Sequence, residues 1–327
     1  MNNSKLKIVI PVAGEGTRMR PHTYTTPKPL LEVAGRTILD HIIEPLIDLN
    51  PNEIIFVIGY MGNAIKEYVK NNYDFKASFV EQADLLGLGF AIYLGIKDIE
   101  DSPILVVLGD TIAKADYSKI LRVKDNCLGL KEVDDPRRFG VAVVENDRIV
   151  ALEEKPENPK SNLAVIGLYY FESSFVLRKY LKKIVEKNIT TRGEIQITDA
   201  MDHMIRDGHI FHPCIVDDWL DCGKKETLLE TNRKLLRGQN GRYKFPGTTI
   251  IPPVKIASTA RIKNSTIGPH VSIADGVEII NSKVKNSIIF KRAVIDCCQL
   301  EESLIGSETF TKDASGILNT GSSTEVG

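Results

Sequence analysis

Residues 6–30 read LKIVIPVAGEGTRMRPHTYTTPKPL, and this stretch decides how the rest of the chain is read. Residues 6–12 form a β-branched run without polar alternation, as expected of a strand buried on both faces. Gly14 and Gly16 then bracket a turn directly after that strand. Glycines there let backbone amides approach a phosphate, and Arg18 can neutralise its charge. The loop is neither a Walker A loop nor a complete G-x-G-x-x-G, so the spacer leading to Pro27-Lys28-Pro29 becomes informative. Arg18, Arg20 and Lys28 in one short stretch weigh against a plain strand-to-loop connection.

Outward from that loop, helical and strand patterns alternate. Residues 37–49, 61–71 and 87–99 have helical spacing, while 53–59, 75–82 and 104–109 read as strands, the last fully apolar. Continuous apolar strands joined by crossover helices predict a Rossmann-like, mostly parallel sheet, an α/β fold. Ligands of such sheets sit beyond the carboxyl ends of the strands, where the 14–18 loop and Gly109-Asp110 lie. Closely spaced strands follow at 140–144, 148–153 and 163–171, the first two flanking the turn pair Asn146-Asp147. Helical patterns return at 173–187, 198–207 and 224–236, and the composition shifts around 238–247.

Past Pro252 a short repeat replaces the helices. Ile256, Ile262, Ile267, Ile273, Ile279, Val284, Ile289, Ile295, Leu300 and Ile305 recur at steps of about five or six, the period of a parallel β-helix. Hairpins would instead need apolar alternation at period two. The expected layout is an α/β domain over 1–240, a short left-handed β-helix of roughly three coils over 247–310, and a Ser/Thr/Gly-rich flexible tail over 311–327.

Composition removes several function classes. Forty-two basic against forty-three acidic residues, net −1, give no global field for nucleic acid or an acidic membrane. That balance leaves room for a local basic pocket. No run approaches the length of a membrane span or a signal sequence. Five cysteines without a CxxC pair fit a reduced, cytoplasmic chain. His212, Cys214 and Cys222 lack a fourth partner for zinc. His270 reads as a solenoid loop residue ahead of an acyl-transfer histidine.

The segment from Gly14 through Leu30, with Val33-Ala-Gly-Arg-Thr-Ile-Leu39, resembles the signature of the sugar-1-phosphate nucleotidyltransferases (NDP-sugar pyrophosphorylases). Later segments match the same family in order: Glu81-Gln82 with Leu86-Gly87-Leu-Gly-Phe-Ala91, Gly109-Asp110, Phe139-Gly140, Glu153-Glu-Lys-Pro156, Gly167-Leu-Tyr169, Arg192-Gly-Glu194 and Trp219-Leu-Asp-Cys-Gly223. The resemblance covers about the first 235 residues. It leans towards glucose-1-phosphate thymidylyltransferases and bacterial UDP-glucose pyrophosphorylases.

The resemblance implies transfer of a nucleotidyl group from dTTP or UTP to glucose 1-phosphate, with release of pyrophosphate. It assigns Ala13, Gly14, Gly16, Thr17, Arg18, Gln82 and Gly87 to the nucleotide, Gln82 facing the imide edge of a pyrimidine. Gly140, Glu154, Lys155, Tyr169, Arg192, Glu194 and Trp219 fall to the sugar phosphate. Asp110 and Asp221 are implied as ligands of Mg²⁺, and Arg18, Lys28, Asp110 and Asp221 as the catalytic set. Those residue types suit in-line displacement at phosphorus, where positioning and charge stabilisation dominate. Each alone has a plainer reading: Asp110 and Asp221 as helix caps, Lys155 as a solvated strand end, Trp219 as core. Their joint order favours function. Partners expected are a nucleoside triphosphate, a sugar 1-phosphate and further copies of the chain, with no nucleic acid and no membrane.

Two rivals bear on the same residues. Mannose 1-phosphate with GTP suits the opening motif and the β-helix, but Gln82 argues against it. A non-catalytic subunit of the same fold would tend to lose the first-motif Arg and Lys or the metal aspartates, and this chain has all four. Glu15 stands beside the phosphate loop, where a carboxylate has to point away.

Overall fold

The computed structural model describes residues 5–216, 218–239 and 241–327, so the expected domain limit at residue 240 falls outside the described residues. Two compact units are present, and they are not consecutive in sequence. One joins the residues up to Gly14 with Ile42–Trp219; the other joins Glu15–His41 with Leu220–Gly327. Residues 15–41 thus belong to the same unit as the C-terminal repeats, whereas the expected division was into consecutive stretches.

The first unit is built on one mixed sheet. Strands β1 (Lys7–Pro11), β2 (Glu53–Ile58), β3 (Ala77–Glu81) and β4 (Ile104–Val107) run parallel in the order β3-β2-β1-β4. β1, β2 and β4 are nearly all Ile, Val, Leu and Phe, and every residue of β2 and β4 is buried. Crossover helices Gly62–Asn72 and Leu88–Ile96 follow β2 and β3, as the period change required. Further along come β5 (Asn126–Glu132), β6 (Gly140–Glu145), β7 (Arg148–Glu154), β8 (Leu163–Phe171) and β9 (Phe211–Ile215). β8 lies antiparallel against β4, β5 and β6, and β6 and β7 form the hairpin about Asn146 and Asp147, both at positive φ. β9 pairs in parallel with β5 although it contains Pro213. Helices Ser174–Glu186 and Ile197–Arg206 supply Leu177, Leu181, Ile184, Met201 and Met204 to the core, with Val9, Ile55, Val106 and Phe171. No helix among the described residues is long and apolar enough to cross a membrane.

The second unit carries the left-handed β-helix. Three parallel five-stranded walls stack from Thr249–Ile250 to Glu325–Val326. Successive coils are offset by 17 residues early and 16 later, as in Ser265 to Ser282 to Cys298. Ile262, Ile279 and Ile295 stack inside, as do Ile273, Ile289 and Ile305. The recurrent Asn-Ser pairs sit at corners: Asn264, Asn281 and Asn286 take positive φ, while Ser265, Ser282 and Ser287 turn inward. Asparagine tolerates the left-handed region, which explains its place there. Cys297-Cys298 is the same corner in another coil, Cys297 at positive φ and Cys298 buried; both thiols are free.

Two expectations are corrected here. The solenoid has five strands on each wall, more than three coils provide, and residues 311–327 are no frayed tail. Phe310–Lys312, Ser315–Gly316, Asn319–Thr320 and Glu325–Val326 pair with the preceding coil. The aliphatic signal fades because Thr309, Thr311 and Thr320 occupy buried positions, and the hydroxyls of Thr309 and Thr320 bond to backbone of the neighbouring coil.

Candidate active site

In the first unit, the carboxyl ends of β1, β3 and β4 carry three of the expected positions. Ala13 is buried after β1, and its carbonyl accepts from the Tyr60 amide at 3.3 Å. A side chain at Gly59 would collide with that carbonyl, and Gly14 has open space where a Cβ would stand. Gln82 follows β3, buried, its amide nitrogen donating to the Asp84 carbonyl at 3.1 Å. That bond fixes the carboxamide plane and leaves Oε1 and one N–H for another partner. Gly87 has φ 112°, and a Cβ there would stand 2.7 Å from the Ile195 carbonyl. Only glycine fits that conformation at that approach. The Ile195 amide in turn donates to the Leu86 carbonyl, so the 82–87 and 194–195 segments are stitched together.

Around Glu154, at the end of β7, the expected sugar-phosphate residues Gly140, Lys155 and Arg192 gather. Glu154 accepts from the Thr198 hydroxyl at 2.7 Å and pairs with the Lys155 ammonium at 3.3 Å. Gly140 lies against both partners, since a Cβ there would stand 3.2 Å from the Glu154 carboxylate and 3.3 Å from the Thr198 hydroxyl. The Arg192 guanidinium donates to the Lys155 carbonyl at 2.7 Å, bringing the two cationic residues together. Both Arg192 and Lys155 hold positive φ, a conformation non-glycine residues adopt at some energetic cost. Glu194 is held by Gln196 at 3.0 Å, and the Thr191 and Glu194 backbones bond reciprocally. The Thr191 hydroxyl donates to Asp199 at 2.9 Å.

Tyr169 on β8 is buried, and its phenol is pushed well above the usual tyrosine range by burial, then by the Glu154 and Asp110 carboxylates. Asp110 therefore shares an electrostatic neighbourhood with Tyr169, as Glu154 does. Asp110 follows Gly109, whose amide bonds to the Pro11 carbonyl at 3.3 Å and whose missing side chain admits Val12. Trp219 meets Phe139 edge-on, ring centroids 4.9 Å apart, and its indole N–H is buried without a partner among the described residues. Its plainer reading as core accounts for the ring but leaves that donor unexplained.

The second unit holds Gly16, Thr17, Arg18, Lys28 and Asp221. Gly16 is left-handed, φ 64°, and opens the 3-10 turn Thr17–Met19. Its absent Cβ would lie 3.0 Å from Lys28 Cβ, so the two ends of the basic segment touch. The Thr23 hydroxyl donates to the Gly16 carbonyl at 2.9 Å and fixes the turn. Asp221 accepts from the Gly223 amide at 2.7 Å, and its carbonyl accepts from Thr231 on helix Lys225–Leu236 at 3.0 Å. A side chain at Gly223 would stand 2.8 Å from the Asp221 carboxylate and 3.1 Å from the Arg18 guanidinium, placing those two groups about one small gap. Glu15 pairs with Arg20 at 3.0 Å on the surface, which accounts for its charge.

Asp110 and Asp221 are hard oxygen donors of the kind Mg²⁺ takes, and each is half-buried. Among the described residues no three His, Cys, Asp or Glu are grouped to hold a metal ion. Thr198 and Thr23 escaped the sequence reading: each acts by holding another residue, and no local pattern marks such a role. Gly223 had a usable signal, as the glycine closing Trp219-Leu-Asp-Cys-Gly223.

Residues 7–238 match the nucleotidyl transferase family. The chain is 39% identical over 229 residues to the bifunctional protein GlmU of Methanocaldococcus jannaschii, covering 70% of this chain and 54% of that protein. It thus spans about half the length of that relative. It is 28% identical over 332 residues to a glucose-1-phosphate thymidylyltransferase of Streptomyces antibioticus, covering 92% of each. A solved Bacillus anthracis structure described as a glucose-1-phosphate thymidylyltransferase, in complex with a sucrose, superposes with TM-score 0.61 at 29% identity, covering 73% of this chain and 98% of that one.

Proposed function

The chain belongs to the nucleotidyl transferase family, and from that membership we propose that it converts dTTP and glucose 1-phosphate into dTDP-glucose and pyrophosphate. UTP is the alternative nucleotide, because an imide edge read by Gln82 is common to thymine and uracil. The observation that carries the sugar-phosphate side is the cluster at Glu154, where Lys155 and Arg192 are joined beside a carboxylate and Gly140 leaves room. Cations there grip a phosphate, and carboxylates accept from sugar hydroxyls.

In the proposed reaction a phosphate oxygen of the sugar 1-phosphate attacks the α-phosphorus in line. The bond to the β-phosphate oxygen breaks and pyrophosphate leaves with the electron pair. Arg18 stabilises the departing pyrophosphate and Lys28 the α-phosphate as charge shifts, while Ala13, Gly14, Gly16 and Thr17 offer backbone and hydroxyl contacts to the phosphates. Asp110 and Asp221 would hold magnesium, which would supply charge neutralisation on the phosphates. Tyr169, Glu194 and Trp219 orient the sugar. The enzyme works in the cytoplasm as a homo-oligomer, which sedimentation of the full chain checks.

Pyrophosphate release measured across dTTP, UTP and GTP with glucose and mannose 1-phosphates tests the proposal. Release is expected with a pyrimidine nucleotide and glucose 1-phosphate. A guanine preference would move the assignment to the mannose pair, and no release with any pair would refute the enzymatic reading.

A further inference from the structure

Resting on the assignment of Arg18 and Lys28 to phosphate binding, we propose that the last coil of the β-helix is the template that shapes the phosphate loop, with His22 and Asn319 as positioning residues. The coil expected to be a tail touches that loop at several points. His22 Nε2 bonds Asn319 Oδ1 at 2.8 Å, and because that oxygen only accepts, the imidazole donates. The Thr25 hydroxyl bonds the Ser322 hydroxyl at 2.8 Å. The His22 ring packs on Phe290, centroids 5.2 Å apart, and Gly321 lies against Pro21. Lys291 pairs with Glu32 just beyond the loop at 2.9 Å.

These contacts reach the basic residues through a short mechanical path. His22 is buried and opens the turn His22–Tyr24. Its neighbour Thr23 holds the Gly16 carbonyl by its hydroxyl and packs its methyl where a Gly16 side chain would stand. Gly16 begins the turn that presents Arg18 and abuts Lys28. The loop itself is three separate 3-10 turns, Thr17–Met19, His22–Tyr24 and Lys28–Leu30, with no long element to stiffen it. Short turns of this kind hold their shape through outside partners. The solenoid offers such partners on a rigid stack of backbone hydrogen bonds.

The test uses the full chain with Asn319→Ala, Asn319→Asp and Glu278→Gln, the last breaking an exposed ion pair with Arg261 elsewhere on the solenoid. Hydrogen exchange over residues 17–30 and steady-state pyrophosphate release are both measured. Asn319→Ala is expected to raise exchange across 17–30 and lower kcat about ten-fold, with KM for the sugar phosphate unchanged and the melting temperature nearly so. Asn319→Asp, which keeps an acceptor oxygen, is expected to recover both readouts, and Glu278→Gln to change neither. Unaltered exchange over 17–30 in Asn319→Ala overturns the template, as does altered exchange with normal kcat. A wild-type chain that releases no pyrophosphate refutes the enzymatic reading instead, whatever the exchange shows.

Discussion

Single residues at this site are fixed by what they must avoid as much as by what they touch. Gly87 is the sharpest case, since its φ of 112° and the Ile195 carbonyl at 2.7 Å from any Cβ exclude every other residue. Gly87→Ala is therefore expected to displace the 194–195 segment and raise the nucleotide KM more than ten-fold, roughly, which initial-rate kinetics would read. Asp110 and Asp221 carry the complementary prediction. Asp110→Asn and Asp221→Asn each remove a charged oxygen donor, and turnover is expected to fall by about a hundred-fold or more while circular dichroism stays native. Activity near wild type in either variant removes that residue from the metal shell. Gly87, Asp110 and Asp221 stand out in the sequence as candidates because phosphate chemistry calls for such residue types at such loops. Thr198 does not, because a hydroxyl that steadies Glu154 leaves no pattern of its own.

At the scale of elements, the buried sheet and its edge respond to different chemistry. Glu53 opens β2 and is nearly buried; burial alone would raise its carboxyl, but the Ser78 hydroxyl, Lys7 and Lys76 outweigh that and hold it below the usual range. A lowered carboxyl contributes stability above its ordinary pKa and loses it as pH falls through the folded value. Glu53→Gln should thus melt below the wild type at pH 7, with the gap closing towards pH 3, as paired thermal scans would show. β1 to β4 and the crossover helices were readable because their periods are long and unbroken. β9 was not, since Pro213 within Phe211–Ile215 reads as a breaker, and its pairing with β5 is settled by tertiary contact. The last coil was hidden for a related reason: Thr311 and Thr320 take the inward positions that Ile295 and Ile305 hold in the preceding coil, and a hydrophobicity pattern is blind to them.

For the molecule as a whole, sequence order and spatial grouping part company. Residues 15–41 fold with the solenoid, and the staple that shows it best is Asn232, fully buried on helix Lys225–Leu236. Its carbonyl oxygen accepts from the Ala34 amide and the Ser272 hydroxyl, and its nitrogen donates to the His270 carbonyl. One amide thereby joins the loop segment to the solenoid. Asn232→Ala would strand those groups without partners at roughly 1–3 kcal/mol apiece, so a melting temperature lowered by several degrees is expected, and an unchanged one would remove the staple. His270 is spoken for by the same network, with Asn286 on its ring, a corner residue of the coil. Nothing local in residues 15–41 announces a partner so distant, which is why the expected limits were drawn along the chain.

That distance has a consequence for how the protein is made. His22 and Asn319 are 297 residues apart. At roughly 5–20 residues per second, a ribosome needs tens of seconds to go from one to the other. Throughout that interval residues 17–30 exist as chain without their partner, and closing so long a loop is entropically expensive and slow. A nascent chain therefore cannot seat this contact until synthesis has passed Asn319, and the order of translation sets when residues 17–30 can take their folded shape.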